Sequence, residues 1–329
     1  MGDFETILAG ALMNTGHHLR DGLLSGIHKG WRGFVWMMKI LVPISLFTAI
    51  LEWSGWISQL DFVVQPIMKL LFLPPMAALP LLIGALTGVY GGIAAMAVLP
   101  FTLDQMTLMA IFILIFHNVV QESIIQGKSG IHPLKALLFR FIPAVFTVVL
   151  AAQFLDPGDG EGMTKAVLAT STPPFGEMLR SWGGTMLALA FKIFLIIMSL
   201  LIILELLRAA GLIDRIVRLF KPLFVLFGLN PTGGIIWIAA LLFGLTYGAA
   251  VIVEEAKKGH LTKDELERLH LSIGINHSIV EDPTLFLALG LGAFWLWLPR
   301  LAAAIVAVHL LRFYRVAMGR RHRSPAARD

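Results

Sequence analysis

Apolar segments long enough to cross a lipid bilayer recur along this chain, and they restrict its fold more than any other feature. A membrane-spanning helix needs about 17–25 mostly apolar residues. Segments of this kind lie at 77–99, 134–155, 185–207, 235–253 and 301–316. Charged residues make up 14% of the sequence, whereas soluble domains carry about 25%. The sequence therefore predicts an all-α, polytopic integral membrane protein.

Polar residues and prolines of this apolar chain recur in the same order 153 to 160 residues later. The matched pairs are Lys39 with Lys192, Glu52 with Glu205, Asp61 with Asp214, Pro66 with Pro222, Pro75 with Pro231, Tyr90 with Tyr247, His117 with His277, Glu122 with Asp282 and Arg140 with Arg300. An ordered series of this length is hard to obtain by chance. We therefore expect two related halves.

The repeat and the polar segments divide the chain into five parts. Residues 1–33 are predicted to form an amphipathic segment at the membrane interface, since apolar and polar residues alternate around a helix there. The membrane repeats are predicted at 34–155 and 183–316, with a polar linker at 156–182. Residues 317–329 form a basic tail, which is expected to lie in the cytoplasm.

Basic residues predict the orientation of the spans, because lysine and arginine accumulate in cytoplasmic loops. Placing every basic cluster and both termini inside, and the linker outside, requires about five crossings per half, or about 10 transmembrane helices. An odd number of crossings inverts the second half relative to the first, as in many secondary transporters. Segments 56–73 and 212–228 carry charges and are candidates for broken or re-entrant spans. If they do not cross, each half has four spans and the repeats become parallel.

A polar cluster interrupts the apolar sequence in each half, as HNVVQES at 117–123 and NHSIVEDP at 276–283. On a continuous helix, residues four apart share a face, which would place His277 over Glu281, and Pro283 is expected to end or kink that helix. If the halves pack about a pseudo-twofold axis, both clusters meet at one site. The predicted substrate- or ion-binding residues are His117, Asn118, Gln121, Glu122, Asn276, His277, Glu281 and Asp282.

Two imidazoles with carboxylates can hold a divalent transition metal, relay protons or bind a polar organic substrate. The metal-ligand candidates are His117, Glu122, His277, Glu281 and Asp282. The chain has no cysteine, which excludes thiolate sites. No resident cofactor is expected beyond a coupling proton or divalent cation. These residues could instead only join helices to one another, but the paired occurrence with several acids favours a functional site.

Small residues are dense at 85–95 (ALTGVYGGIAA) and at 241–251 (LLFGLTYGAAV). Such residues let helices approach closely, and glycine permits an unwound segment within the membrane. Tyr90 and Tyr247 occupy the repeated position and are two of the three tyrosines in the chain. We expect either hydroxyl to donate a hydrogen bond to a substrate.

The segments YGAAVIVEEAKKGHLTKDEL and LSIGINHSIVEDPTLFLALG resemble the bacterial nucleoside recognition, or Gate-domain, membrane proteins. The resemblance implies a transporter-like helical protein of the bacterial inner membrane with paired Gate modules, and by analogy a homodimer. By position, the signature of that family falls on His277, Glu281 and Asp282. Through the internal repeat, the corresponding residues of the first half are His117, Gln121 and Glu122. The ferrous-iron permeases that share such modules place a cysteine there, so the cysteine-free sequence argues against iron as cargo.

These features predict a secondary transporter or permease for a small polar solute or ion, coupled to protons or another ion. The cargo would be a nucleoside-like solute or a cation, and the partners would be the lipid bilayer and that solute, without nucleic acid. No GxxxxGK[ST] motif is present, so ATP is not expected to drive transport. One alternative is a membrane scaffold or sensor. The other is an intramembrane enzyme that uses His and Glu on a lipid-linked substrate, but no GxSxG, HExxH or DxD pattern supports an enzyme.

Overall fold

A computed structural model describes residues 2–56, 61–158, 173–212 and 262–321, together with short pieces between 215 and 241. All regular structure in these residues is helical, which confirms the all-α prediction. The helices are α1 (Gly2–Trp53), α2 (Asp61–Leu70), α3 (Ala78–Thr87), α4 (Val89–Met96), α5 (Leu103–Ile115), α6 (Val119–Lys128), α7 (Pro133–Ala151), α8 (Phe175–Ala209), α9 (Lys263–Asn276), α10 (Glu281–Phe286) and α11 (Ala293–Arg321).

Within the described ranges, five helical segments are long and apolar enough to cross a membrane. They are Leu19–Trp53, Leu103–Lys128, Pro133–Ala151, Phe175–Ala209 and Ala293–Ala317. The outer surface is apolar, with Leu187, Phe313 and Phe154 each more than 70% exposed. An apolar exterior of this kind is suited to lipid contact, so the chain has the character of a membrane protein.

A sixth span would be bent. Val64–Leu70 and Pro75–Thr87 meet at an angle of 90° and form either one broken span or a re-entrant loop. The predicted weak segment 56–73 thus contributes to this bent pair, whereas most of 212–228 lies outside the described residues. The count of ten spans stays a prediction, because it requires crossings within 213–261, most of which the structure does not describe.

Helices α1 and α8 pack against each other along a row of glycines. Gly22 faces Ala209, Gly26 faces Ile202 and Gly30 faces Met198. The start of α1 therefore meets the end of α8, so the two helices are antiparallel. Glycines four apart form one face, which lets the backbones approach closely. Helix α1 continues without a break past residue 33, and the candidate span Leu19–Trp53 begins within the segment 1–33 that was predicted to lie at the interface.

A second set of contacts shows that α5 and α9 also run in opposite directions. At one end of the bundle, Lys135 Nζ at the start of α7 lies 2.5 Å from Glu267 Oε2 at the start of α9. Arg315 at the end of α11 binds the same carboxylate. At the other end, the backbone N–H of Asp156, just after α7, donates to Asp104 at the start of α5 (3.0 Å). Helices α5 and α9 thus begin at opposite ends of α7.

The glycine contact between α1 and α8 yields a stability prediction. A Cβ added at Gly26 would lie 2.7 Å from the Ile202 Cα, and the backbone there cannot move aside alone. We expect Gly26→Ala to lower the free energy of unfolding by about 1–3 kcal/mol, as measured by denaturation in detergent.

Gly184→Ala is the matched control. Gly184 lies on α8 with nothing within 4 Å of an added Cβ, so alanine should leave stability unchanged or raise it by up to about 1 kcal/mol through its helix propensity. Equal stabilities of the two alanine variants would contradict the close packing of α1 on α8.

Candidate functional site

The site is built at two helix breaks that lie 160 residues apart in the sequence. Helix α5 ends at Ile115 and α6 begins at Val119, while α9 ends at Asn276 and α10 begins at Glu281. Asn118 (φ 48°) and Ser278 (φ 47°) adopt left-handed conformations that side chains other than glycine rarely adopt. Strained backbone of this kind persists where the surroundings enforce it and is frequent at functional sites.

The helix breaks correct two predictions. The expected placement of His277 over Glu281 assumed a continuous helix. It is wrong because the backbone leaves the helix at 116–118 and 277–280. Pro283 does not end a helix but lies in the first turn of α10, a position where its missing N–H leaves no helical hydrogen bond unmade.

Two buried arginines satisfy backbone carbonyls that the breaks leave free. Arg140 on α7 donates from Nε to the Ile115 oxygen (2.9 Å) and from Nη2 to the His117 oxygen (2.6 Å). Arg300 on α11 makes the same pair of bonds to the carbonyls of Ile275 and His277. Both arginine side chains are buried. Free carbonyls are costly in an apolar interior, so these arginines stabilise both breaks.

Backbone contacts also determine the tautomers of the two histidines. His117 Nδ1 lies 2.9 Å from the Ile113 oxygen, and His277 Nδ1 lies 3.0 Å from the Ile273 oxygen. A carbonyl oxygen can only accept, so each Nδ1 carries the proton. In the neutral ring, Nε2 then presents a lone pair.

These lone pairs converge with two carboxylates at one buried point. His117 Nε2 and His277 Nε2 lie 3.2 Å apart. Glu122 Oε1 lies 3.1 Å from His117 Nε2 and 3.3 Å from His277 Nε2. Asp282 Oδ2 lies 3.6 Å from His117 Nε2. We call His117, Glu122, His277 and Asp282 the histidine–carboxylate cluster. The predicted meeting of the two polar segments therefore occurs in the structure.

The centre of the cluster consists of hydrogen-bond acceptors. The neutral imidazoles offer lone pairs at Nε2, and a carboxylate can only accept. Acceptors at this separation repel one another unless a proton or a cation lies between them. The arrangement can therefore bind a proton, a metal ion or a donor group of a polar solute, which are the three chemistries that the sequence left open.

The two halves of the cluster are not equivalent. Glu122 Oε2 lies 2.7 Å from Arg140 Nη1, so one oxygen of that carboxylate is held by an ion pair. Asp282 is one methylene shorter than the glutamate it matches. Among the described residues, neither Asp282 Oδ2 nor Arg300 Nη1 has a hydrogen-bond partner. Asp282 is thus less constrained than Glu122.

Other predicted site residues lie beside the cluster and bind each other. The Tyr90 hydroxyl donates to Glu281 Oε1 (2.7 Å), which joins the small-residue helix α4 to the start of α10. Asn118 Nδ2 donates to Gln121 Oε1 (3.0 Å). Among the described residues no ion pair joins Glu281 to either imidazole, and the acid of the second half that approaches one is Asp282, beside His117.

Two further predicted residues remain. Asn276 is buried directly before His277, and neither polar atom of its side chain has a hydrogen-bond partner among the described residues. Tyr247 lies outside the described residues. The glycine break expected near Tyr90 is present, because Gly88 (φ 96°) separates α3 from α4.

The sequence-based prediction omitted Arg140 and Arg300 from the site, although they hold both breaks. A usable signal was present, since both arginines lie in apolar segments and match each other in the repeat at the same 160-residue offset as the two histidines. Charged residues inside a membrane segment are costly and face partners or function.

The arginine contacts predict a large loss of stability for Arg140→Gln. Removing the guanidinium leaves the buried Glu122 carboxylate without its ion pair and two carbonyls without donors. We expect a loss of about 3–5 kcal/mol in the free energy of unfolding, measured in detergent. Arg180→Gln, at an exposed position of α8, should change stability by less than about 0.5 kcal/mol. Similar effects of both substitutions would contradict the role of Arg140.

The chain is 26% identical over 291 residues to the "Uncharacterized membrane protein YvoD" of Bacillus subtilis (strain 168). The alignment covers 87% of this chain and 91% of that protein. No family model matches the chain, so the resemblance to Gate-domain proteins is not confirmed. No solved structure matches it. The apolar helices and this relative together identify the chain as a helical membrane protein.

Proposed function

We propose that this protein is a secondary transporter or permease that binds a small polar solute or ion at the histidine–carboxylate cluster. The observation that carries this proposal is the meeting of ionisable groups from both halves of the chain at one buried point. Ionisable groups within membrane segments are costly and mark ion or substrate paths. A scaffold has no need of converging acceptors at its centre.

The directions of the helices support an inverted repeat. Helices α1 and α8 begin the first and second halves and pack antiparallel, and α5 and α9, which lead into the two breaks, also run in opposite directions. In inverted-repeat transporters, broken helices from both halves form a site near the middle of the membrane, and one half moves against the other to alternate access. We propose the same arrangement here, with about five spans per half.

The remaining features of the proposal are the expectations drawn from the sequence and from its resemblance to Gate-domain proteins. The protein would lie in a bacterial inner membrane with both termini in the cytoplasm, in contact with lipid and in the form of a homodimer, without a nucleic-acid partner. It would act as a carrier rather than an enzyme. A proton or ion gradient would drive it, since the sequence has no phosphate-binding loop for ATP. The cargo would be a cation or a nucleoside-like solute.

Uptake into proteoliposomes tests the proposal. We expect wild-type protein to move at least one member of a panel of nucleosides and divalent cations faster than protein-free vesicles do. His277→Ala should reduce the initial rate to that of protein-free vesicles, because it removes one of the two imidazoles at the shared site. His28→Ala, on the exposed face of α1, is the matched control and should retain wild-type uptake.

Two results would contradict the proposal: wild-type uptake equal to that of empty vesicles for the whole panel, or normal uptake by His277→Ala. The alternatives give different signatures. A scaffold or sensor would show no uptake but would fold normally with either histidine changed. An enzyme would turn over a lipid-linked substrate in detergent, where no sealed compartment exists.

A further inference from the structure

The geometry of the histidine–carboxylate cluster points to a more specific ligand. We infer that His117, His277 and Asp282, with the Glu122 carboxylate against both imidazoles, bind one first-row divalent transition-metal ion, with Zn²⁺ as the best match. The metal-binding site is inferred from the structure alone. The further statement that the metal is the cargo or the coupling ion rests on the proposed function.

The distances between the acceptor atoms fit such an ion. Ligands about 2.0–2.1 Å from a tetrahedral Zn²⁺ lie about 3.3–3.4 Å from each other. The measured separations are 3.2 Å between the two Nε2 atoms, 3.1 and 3.3 Å from these to Glu122 Oε1, and 3.6 Å from His117 Nε2 to Asp282 Oδ2. The ligand atoms of His117, His277 and Asp282 also lie within 4.8 Å of one another.

The ligand types select the class of metal. Imidazole nitrogen suits Zn²⁺, Cu²⁺, Ni²⁺ and Fe²⁺, whereas Ca²⁺ and Mg²⁺ take oxygen ligands. Two imidazoles that both present Nε2 therefore favour a transition metal over the hard cations. The two carboxylates would neutralise the charge of a divalent ion.

The groups behind the ligands have the arrangement that metal sites use. Each histidine donates its Nδ1–H to a backbone carbonyl, which orients the ring toward the centre. Arg140 binds the outer oxygen of Glu122 and leaves Oε1 directed at both imidazoles. The buried residue Asp282 directs Oδ2 toward His117, and this oxygen has no hydrogen-bond partner among the described residues. The candidate ligands are thus held in place by their own neighbours.

Buried polar groups continue from the cluster toward the end of the bundle where α7 and α9 begin. Gln126 follows Glu122 by one turn of α6, and neither polar atom of its side chain has a hydrogen-bond partner in the described part of the chain. Ser129 follows, and its carbonyl lies 3.2 Å from His270 Nε2. The buried polar interior therefore extends from the cluster toward that surface.

Equilibrium metal binding to the full-length protein in detergent tests the inference. The protein, carrying His17→Ala and His18→Ala to remove adjacent terminal imidazoles, is treated with chelator and dialysed against Zn²⁺. We expect one ion per chain by elemental analysis. Co²⁺ in its place should show the intense visible bands of tetrahedral coordination rather than the weak bands of an octahedral ion.

Single substitutions then assign the ligands. His277→Ala and Asp282→Asn should each weaken binding by about 100-fold or more, beyond the 10–100-fold effect typical of a residue behind the ligands. Glu281→Gln removes the neighbouring acid, which binds Tyr90 instead, and should leave affinity within about twofold. Asp282→Asn changes no volume, so it keeps the test valid if His277→Ala fails to fold.

The outcomes separate this inference from the proposed function. Absence of stoichiometric binding, or equal affinity of wild type and Asp282→Asn, would overturn the metal site, and the second result would show an adventitious ion only. Uptake of a metal-free solute without metal binding would leave the transporter proposal standing and the metal inference wrong. Tight binding without uptake of any solute would support the site and contradict transport.

Discussion

Arg140 and Arg300 satisfy the backbone carbonyls at the two helix breaks, and the rest of the site depends on these contacts. Within an apolar interior a helix cannot open unless its freed carbonyls find donors. Each guanidinium donates two N–H groups to backbone carbonyls at its helix break. One of these carbonyls belongs to the histidine itself. The breaks place His117 and His277 where their Nε2 atoms meet, and no continuous helix would bring them into the same position.

Much of this arrangement follows from the sequence, because the repeat places residues of the same type at matching positions in both halves. The offset of 160 residues that relates the histidines also relates the arginines and the left-handed residues Asn118 and Ser278. Sequence reasoning therefore predicted that the two polar segments meet. It placed a helix end or kink at Pro283 and did not predict the breaks at 116–118 and 277–280, because helical spacing is the default for an apolar segment and neither Asn118 nor Ser278 is a glycine. Arg140 and Arg300 were matched in the repeat but not recognised as the residues that hold the breaks.

The second acid of the cluster also differs from the expectation. Glu281 was the closest acid to His277 under helical spacing, yet the break turns it toward Tyr90, and Asp282 approaches His117 in the other half. The two halves contribute unequal carboxylates to the cluster. Glu122 is held by Arg140, whereas the shorter Asp282 does not reach an equivalent ion pair with Arg300 among the described residues. A site with one constrained and one less constrained carboxylate is suited to binding and releasing a cation.

A side-chain-resolution map of the protein in lipid nanodiscs tests the central claim most directly, namely that the two halves form one shared site. If the site is shared, the imidazoles of His117 and His277 lie in contact, with the Glu122 carboxylate against both and an arginine behind each helix break. Histidines that face separate environments, too far apart for one ion to touch both, would contradict it.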